Sequence, residues 1–412
     1  MSAVKQKNKQ FLFDKIVGII FTLIQPILGF LFSLRYANRK WFQIVVIILC
    51  TYFGYTMYVE DIVYDSSRYR DYFLEVYLVQ EDYFSFLFSK INSIYVQDYY
   101  ESSAAFFISR FTNDYQIYFA FLGFVFGIIY SRNIYLISNY FTKYNIFSVI
   151  FFLSFLCIYG PWAINGARFG TASQLFLYII FSYFLFEKKK SLFLLLLLPL
   201  IHFSFLLPIF ILGLYLLFDK LIIKFQFIFF LLFVVSFLLE FFILDFVSTI
   251  VNYFPPFLAE KMVTYTSVDA ITEFNSTNED LSILAKFSVI SLKVYFFLSY
   301  IVIYFYNKKI STTLSKVDKQ FISFFLFFAS IISVVNFFPS FSRYVNLAVI
   351  INVVIFLKLI SIYHFNNIFR NRVLLLVLCL FLLVVTLRSI RYGVLFLGDD
   401  FFMSSPLFIF FN

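Results

Sequence analysis

Charge is what this chain lacks. Asp, Glu, Lys and Arg make up 13% of its 412 residues, where a soluble globular chain carries about a quarter. That shortage excludes a water-soluble fold. Cysteine is scarce too. Cys50, Cys157 and Cys379 stand in apolar runs at unrelated spacings, which excludes a disulfide framework or a thiolate metal site. They read as small buried hydrophobes. Histidine occurs twice, at His202 and His364, and no His/Cys cluster has metal-ligand spacing. A Walker loop and a GxGxxG turn are absent, and Asp399-Asp400 lacks the context of a metal-binding acidic pair. Nothing points to ATP coupling, a redox group, any other cofactor or a metal. No signal-peptide cleavage pattern is evident, and no tandem repeat or low-complexity linker stands out.

What is present is apolar surface. The chain is 62% hydrophobic, with 67 Phe and 31 Tyr, residues that suit lipid-facing and interfacial positions. The expected class is an all-α polytopic membrane protein, one integral membrane domain over 1–412. Apolar stretches long enough to span, at about 20 residues each, fall at 41–59, 115–131, 146–163, 169–186, 225–247, 287–306, 320–337, 343–363 and 373–393. Two more are ambiguous: 15–34, broken by Pro26, and 191–218, broken by Pro199 and Pro208. The total is about 10–11 transmembrane or re-entrant segments.

The charges segregate by loop, so the net charge of +9 carries no implication of nucleic-acid binding. Loop 60–114 holds ten acids against four bases, and loop 248–285 five acids against one base; together they contain fifteen of the 23 acids. By contrast 187–190, 307–319 and 364–372 are basic. The positive-inside rule places the basic loops in the cytoplasm and the two acidic loops outside. Segment 219–224 must then lie inside as well, so 191–218 crosses an even number of times. Its 28 residues are too few for two full spans. The expectation is a broken, re-entrant hairpin with Pro199 and His202 near its tip, backbone that is tolerated where it lines a cavity. Segment 15–34 is either a span with an outside N-terminus or a surface-lying hairpin, and the lysines at 5, 7 and 9 favour the second. The same parity puts the turns at 160–168 and 338–343 outside. Arg168 and Arg343 then share a face, towards which Arg388, Arg391 and Lys293 are also directed.

Arg168 closes the turn Gly160-Pro161-Trp162-Ala163-Ile164-Asn165-Gly166-Ala167-Arg168 between two long apolar runs. A guanidinium there is costly. It can fork onto phosphoryl oxygens with charge-assisted hydrogen bonds; the alternative is snorkelling to headgroups or a structural ion pair. Asn165-Gly166 favours the first, because a glycine turn lets backbone approach a ligand and a helix start offers free N–H groups. Pro339 before Ser342-Arg343-Tyr344 makes a comparable break. His202, in a membrane break beside Ser204, suits a general base or a donor to a diphosphate; the alternative is a neutral core histidine bonded to a carbonyl. His364, in a basic loop, reads as ordinary. The stretch 59–72 packs Glu60, Asp61, Asp65, Arg68, Tyr69, Arg70, Asp71 and Tyr72 at an interface. Tyrosines stack on sugar faces and carboxylates accept from hydroxyls, although an aromatic belt would account for Tyr69 and Tyr72.

At these residues the chain resembles the EpsG-like group of Wzy-type polysaccharide polymerases. Asp65-Ser66-Ser67-Arg68-Tyr69 is similar to that family's acidic Arg-Tyr segment. Asn165-Gly166-Ala167-Arg168 resembles its Asn-x-x-Arg turn, with Phe169 where Gln is common. Ile201-His202-Phe203-Ser204 resembles its His-containing break, and Ser342-Arg343-Tyr344 its late Arg-Tyr pair. Each motif is short; their order through the chain carries the likeness. The resemblance implies a GT-C-like polymerase architecture in a bacterial cytoplasmic membrane with the active site facing outside. It implies a glycosyltransferase that joins undecaprenyl-diphosphate-linked oligosaccharide repeat units of capsule, O-antigen or exopolysaccharide. Its partners would be membrane lipid, a chain-length regulator and a flippase. Breaking a glycosyl–diphosphate bond develops charge on the leaving phosphate, which fixed cations stabilise. On this reading Arg168 and Arg343 bind the diphosphate, with Lys293, Arg388 and Arg391 in support. His202 is base or positioning group, and Asp65, Glu60 and Asp61 are alternative bases. Asn165, Arg68, Tyr69 and Tyr344 line the substrate. The rival expectations are a ligase for finished lipid-linked glycan and a non-enzymatic flippase, which would show cations along a central cavity and pseudo-symmetric halves.

Overall fold

A computed structural model describes residues 2–59, 65–79, 81–92, 98–141, 145–239, 282–310, 314–336, 343–362, 372–398, 401–402 and 405–407. Among them there is no β-strand, only an isolated antiparallel bridge between Met57 and Leu397. Among the described residues seven segments are helical, long and apolar enough to cross a membrane: Tyr115–Tyr140, Ile146–Phe186, Phe203–Lys224, Ile283–Lys309, Lys316–Val335, Arg343–Ile360 and Val373–Val394. The chain is an all-α polytopic membrane protein. It forms two compact units, one from 1–142, 159–206 and 389–412, the other from 143–158 and 207–388.

The first unit begins with α1 (Ser2–Ile24) and α2 (Pro26–Ser33). Pro26 stops α1 and opens α2, where its missing N–H costs nothing, and Gln25 caps the new helix through Ile27 N at 3.2 Å. A Cβ on Gly29 would fall 2.3 Å from the Thr22 backbone, so the two helices fold back tightly on each other. Segment 15–34 is thus bent at Gln25-Pro26. The next helix, α3 (Phe42–Tyr55), has 14 residues, shorter than the span expected at 41–59. It ends where Met57 and Tyr58 turn to pair with Leu397 and Phe396.

The acid-rich segment 60–114 is not an irregular loop where it is described. It folds into α4 (Asp65–Leu78), α5 (Tyr83–Asn92) and α6 (Tyr99–Ser109), with Val76, Phe86 and Phe106 as their shared core. Arg110 ties them, donating to Val76 O at 2.7 Å and Val79 O at 2.6 Å, backbone carbonyls at the end of α4. Asp114 then caps α7 (Tyr115–Tyr140) by accepting from Gln116 N at 2.8 Å.

α3 and α7 approach through glycine. A Cβ on Gly54 would meet Phe119 O at 2.2 Å, one on Gly123 would meet Cys50 O at 2.3 Å, and one on Gly127 would meet Cys50 Cβ at 3.0 Å. Gly123 and Gly127 are four apart, hence on one face, the spacing that lets membrane helices close to backbone contact. After α8 (Ile146–Ile158) the sequence Gly160-Pro161 ends helical continuity. A 3₁₀ turn, Pro161–Gly166, leads into α9 (Ala167–Phe186). The spans expected at 146–163 and 169–186 therefore end and begin at the turn that carries Asn165. α7 and α9 are joined by Asn133 Nδ2, which donates to Gln174 O and Oε1 at 2.8 and 2.7 Å.

Segment 191–218 is broken at His202, as its sequence implied, but unevenly. A 3₁₀ stretch (Lys189–Leu197), the short α10 (Leu198–Ile201) and a 3₁₀ turn (Phe203–Phe205) precede a long α11 (Leu206–Lys224). Pro208 does not interrupt α11 because it lies in the first turn, where no intrahelical N–H is required.

The second unit holds α8, α11, α12 (Gln226–Leu239), α13 (Ile283–Ile310), α14 (Lys316–Val335), α15 (Arg343–Ile362) and most of α16 (Arg372–Val394). Aromatic stacking and hydroxyl hydrogen bonds join them. Phe233 lies on Tyr300 at 3.7 Å between centroids, and Phe151 on Phe356 at 5.1 Å. Tyr295 OH donates to Asn352 Oδ1 at 2.7 Å, and Thr386 Oγ1 to Ser154 Oγ at 2.8 Å. Asp318 and Lys358 form a buried ion pair between α14 and α15. The predicted external loop 248–285 lies outside the described residues up to 281.

Gly123→Val should drive backbone apart at the α3–α7 contact and cost about 1–3 kcal/mol or more. Gly213→Ala, in the interior of α11 with open space around it, should gain about 0.5–1 kcal/mol. Thermal unfolding in detergent checks the pair. A Gly123→Val protein as stable as the parent would contradict the close approach.

Candidate functional site

Asp98 is the residue on which the first unit's polar cluster converges. It precedes the first residue of α6, and its side chain is only 9% exposed. Oδ1 accepts from the backbone N–H of Phe203 at 2.7 Å. Oδ2 lies 2.8 Å from His202 Nδ1 and 3.1 Å from Arg168 Nη1. Three chain segments thus meet on one carboxylate: the start of α6, the first turn of α9 and the break after α10. The break is what makes Phe203 N–H available. His202 has extended backbone, φ −154° and ψ 113°, so the amide that follows it is released from helical bonding.

Burial alone would raise the Asp98 carboxyl. The His202 hydrogen bond and charge, the Phe203 amide and the Arg168 guanidinium outweigh it and hold the group below the ordinary carboxylate range. An ionised acceptor fixes the His202 proton on Nδ1. Nε2 is left as the basic nitrogen, and among the described residues it has no hydrogen-bond partner. The imidazole is held from the side by Phe169, edge-on at 5.7 Å, and by Phe205 at 6.3 Å. The aromatic at 169 therefore packs against the histidine and does not supply a polar contact.

Arg168 spends only part of its guanidinium on protein. Nε donates to Tyr69 OH at 3.1 Å and Nη1 faces Asp98. The side chain is 32% exposed, and Nη2 has no partner among the described residues. Burial pushes the Tyr69 phenol above its ordinary value, against the pull of Arg168, so it stays a neutral hydroxyl. Asn165 is buried and ties two segments together: Oδ1 accepts from Ser66 N at 3.3 Å, and Nδ2 donates to Tyr392 OH at 2.7 Å. That bond fixes the start of α4 against the 161–166 turn. Asp65 closes the group, pairing with Arg68, and its Oδ2 would lie 3.6 Å from a Cβ placed on Gly166.

Six residues singled out in the sequence are thus gathered in one unit: Asp65, Arg68, Tyr69, Asn165, Arg168 and His202. Arg391 belongs to the same unit and is exposed. Arg343, Tyr344, Lys293 and Arg388 belong to the second unit. There Arg343 is the exposed first residue of α15 and Tyr344 is buried. Lys293 lines a small pocket with Ser236, Ser333 and Asn336. Glu60, Asp61, Pro339, Ser342, His364 and Asp399-Asp400 lie outside the described residues. Asp98 was missed. So was Glu101, buried one turn later and accepting from Tyr118 OH at 3.1 Å. The available signal was Asp98-Tyr99-Tyr100-Glu101, two acids three residues apart in an aromatic setting, the spacing of one helix face. Among the described residues no three His, Cys, Asp or Glu side chains are grouped to share a metal ion.

Asp98→Asn keeps the shape and removes the charge. It should cost about 2 kcal/mol, the net worth of hydrogen bonds to a charged group; the exposed edge of Arg168 spares it the larger cost of orphaning a fully buried ion. Because the folded carboxyl titrates below its ordinary value, its contribution is complete above about pH 5 and is lost as pH falls through the folded value. Thermal unfolding of both forms in detergent, from about pH 7 to about pH 3, should show a constant gap that narrows at the acid end. A gap that widens on acidification would contradict this assignment.

No family model, curated protein or solved structure matches this chain.

Proposed function

We propose that the protein is a membrane glycosyltransferase of the polymerase type, joining undecaprenyl-diphosphate-linked oligosaccharide repeat units. The observation that carries this reading is the shared carboxylate. Asp98 holds a base and a cation side by side, each with one edge unspent on protein.

The reaction needs those two functions and little else. An acceptor hydroxyl attacks the anomeric carbon of the donor sugar, the glycosyl–oxygen bond to diphosphate breaks, and the lipid diphosphate leaves. The hydroxyl proton goes to His202 Nε2, with Asp98 stabilising the imidazolium that forms. The exposed edge of Arg168 forks onto the departing diphosphate, whose growing charge it stabilises more strongly than the ground state. Tyr69 fixes the guanidinium plane through Nε. Asn165 and Asp65 set the turn and the start of α4 beside it, on the side assigned to the acceptor sugar. Arg343, Lys293 and Arg388 belong to the second unit and are given no role in this step. On the charge segregation of the loops the site faces outside the cytoplasmic membrane.

The test is to size the lipid-linked glycans of a host null strain complemented with each variant. The null should accumulate single repeat units, and the wild type should restore a ladder of lengths. His202→Ala should lower polymer formation by about 10²–10⁴-fold, the usual worth of a positioned base. Arg168→Lys should not rescue Arg168→Ala, because an ammonium lacks the planar fork. Full polymer from well-folded Arg168→Ala would overturn the assignment. Unattached full-length polymer in the null would mark a ligase, and units retained on the cytoplasmic side a flippase.

A further inference from the structure

Helices α4 to α6 leave an apolar face that no described part of the chain covers. On α5, Phe84 is 67% exposed and Phe88 61%; at the end of α6, Phe107 is 50% exposed and Phe111 87%. Phe84 and Phe88 are four residues apart and so lie on one face of α5, and Phe111 follows Phe107 just past the C-cap of α6 at Arg110. The pairs are joined through Tyr83, whose ring lies 5.7 Å from Phe84 and 4.8 Å from Phe107. The opposite side of α5 is already spent: Phe86 is buried against Phe106 at 4.9 Å.

Three observations identify what covers this face. First, α5 and α6 have 10 and 11 residues, about half of what a membrane crossing needs. Second, the chain runs from this face directly into a membrane helix. Phe111 stands four residues before Tyr115, where α7 begins, and α7 carries Ile117 and Phe124 exposed, seven residues apart on one stripe. Third, the polar groups lie at the margin. Asp82 caps α5 through Phe84 N and Ser85 N at 2.9 and 3.1 Å, and Glu81 and Asp82 are exposed beside the phenylalanines. Aromatic rings backed by charge at the end of a spanning helix are the composition of a bilayer interface.

We propose that Phe84, Phe88, Phe107 and Phe111 are seated in the bilayer interface at the Tyr115 end of α7. The occupant of this face is lipid acyl chain and not a second protein. The consequence is mechanical. α6 carries the lipid-seated phenylalanines at its C-terminal end and is preceded by Asp98, so the membrane surface itself holds the helix that positions the carboxylate under Arg168 and His202.

The experiment uses the full chain in nanodiscs of phosphatidylethanolamine and phosphatidylglycerol. Spin labels go on Phe84→Cys, Phe88→Cys and Phe111→Cys, with Asp82→Cys as the aqueous reference. Cys157 is replaced by Ala, and Cys50 and Cys379 are left because they are buried. Collision with dissolved oxygen and with a water-soluble nickel chelate is compared at each site. Lipid seating gives an oxygen-to-nickel ratio several-fold above that of Asp82→Cys at all three. A ratio equal to the reference, or protection from both reagents as a protein contact would give, overturns the proposal. A phospholipid with a photoreactive acyl chain, applied to the unsubstituted protein, provides a check free of folding effects. Adducts should map to the peptides containing 84–88 and 107–111, and their absence there, with adducts on α7, counts against it. Neither readout depends on glycosyl transfer.

Discussion

The first unit depends on one carboxylate. A guanidinium at the start of a membrane-length helix is tolerable only with a counter-charge, and Asp98 supplies it to Arg168 while also engaging His202 and the Phe203 amide. Each contact explains an oddity elsewhere. The 3₁₀ turn Pro161–Gly166 delivers Arg168 at a helix start. The extended backbone of His202 frees the following N–H. The start of α6, within an acid-rich segment, is pinned there. Removing the carboxylate would leave a half-buried cation and an unanchored imidazole together.

The two units solve the problem of packing in lipid differently. Without a hydrophobic drive between helices, association relies on close contact and on polar pairs. The first unit uses small residues: Gly54, Gly123 and Gly127 bring α3 against α7, and Gly29 folds α2 onto α1. The second uses rings and hydroxyls, with Phe233 on Tyr300, Tyr295 on Asn352 and Thr386 on Ser154. A chain with 67 phenylalanines can fill space by stacking where glycine is scarce. Rigid packing around Asn165 and Asn133 then lets the polar cluster keep a defined geometry in an apolar setting.

The site's chemistry follows from what each group has left over. Arg168 satisfies Tyr69 and Asp98 and retains an exposed edge. His202 commits Nδ1 and retains Nε2. Such partly spent groups differ from the Asp318–Lys358 pair of the second unit, where both members are buried against each other. A closed pair braces two helices; an open one can still meet a ligand.

Much of this was legible in the sequence, for reasons that are local. Hydropathy and the loss of charge determine a polytopic helical protein, because backbone in lipid must bond within itself. Gly160-Pro161 and the charge at Arg168 mark an interrupted helix, and the polar His202 between prolines marks another. Tyr69 and Asn165 stood out by their neighbours. What the sequence could not decide was pairing. Asp98 meets His202 across 104 residues of chain and Asn165 meets Ser66 across 99, and no periodicity encodes such partners. The acidic segment 60–114 looked like a loop because its acids hide an apolar repeat of short helices, whose stability comes from packing Val76, Phe86 and Phe106 together rather than from their own length. Composition decided that this chain lives in a membrane; only tertiary packing decided which acid stands beside its arginine.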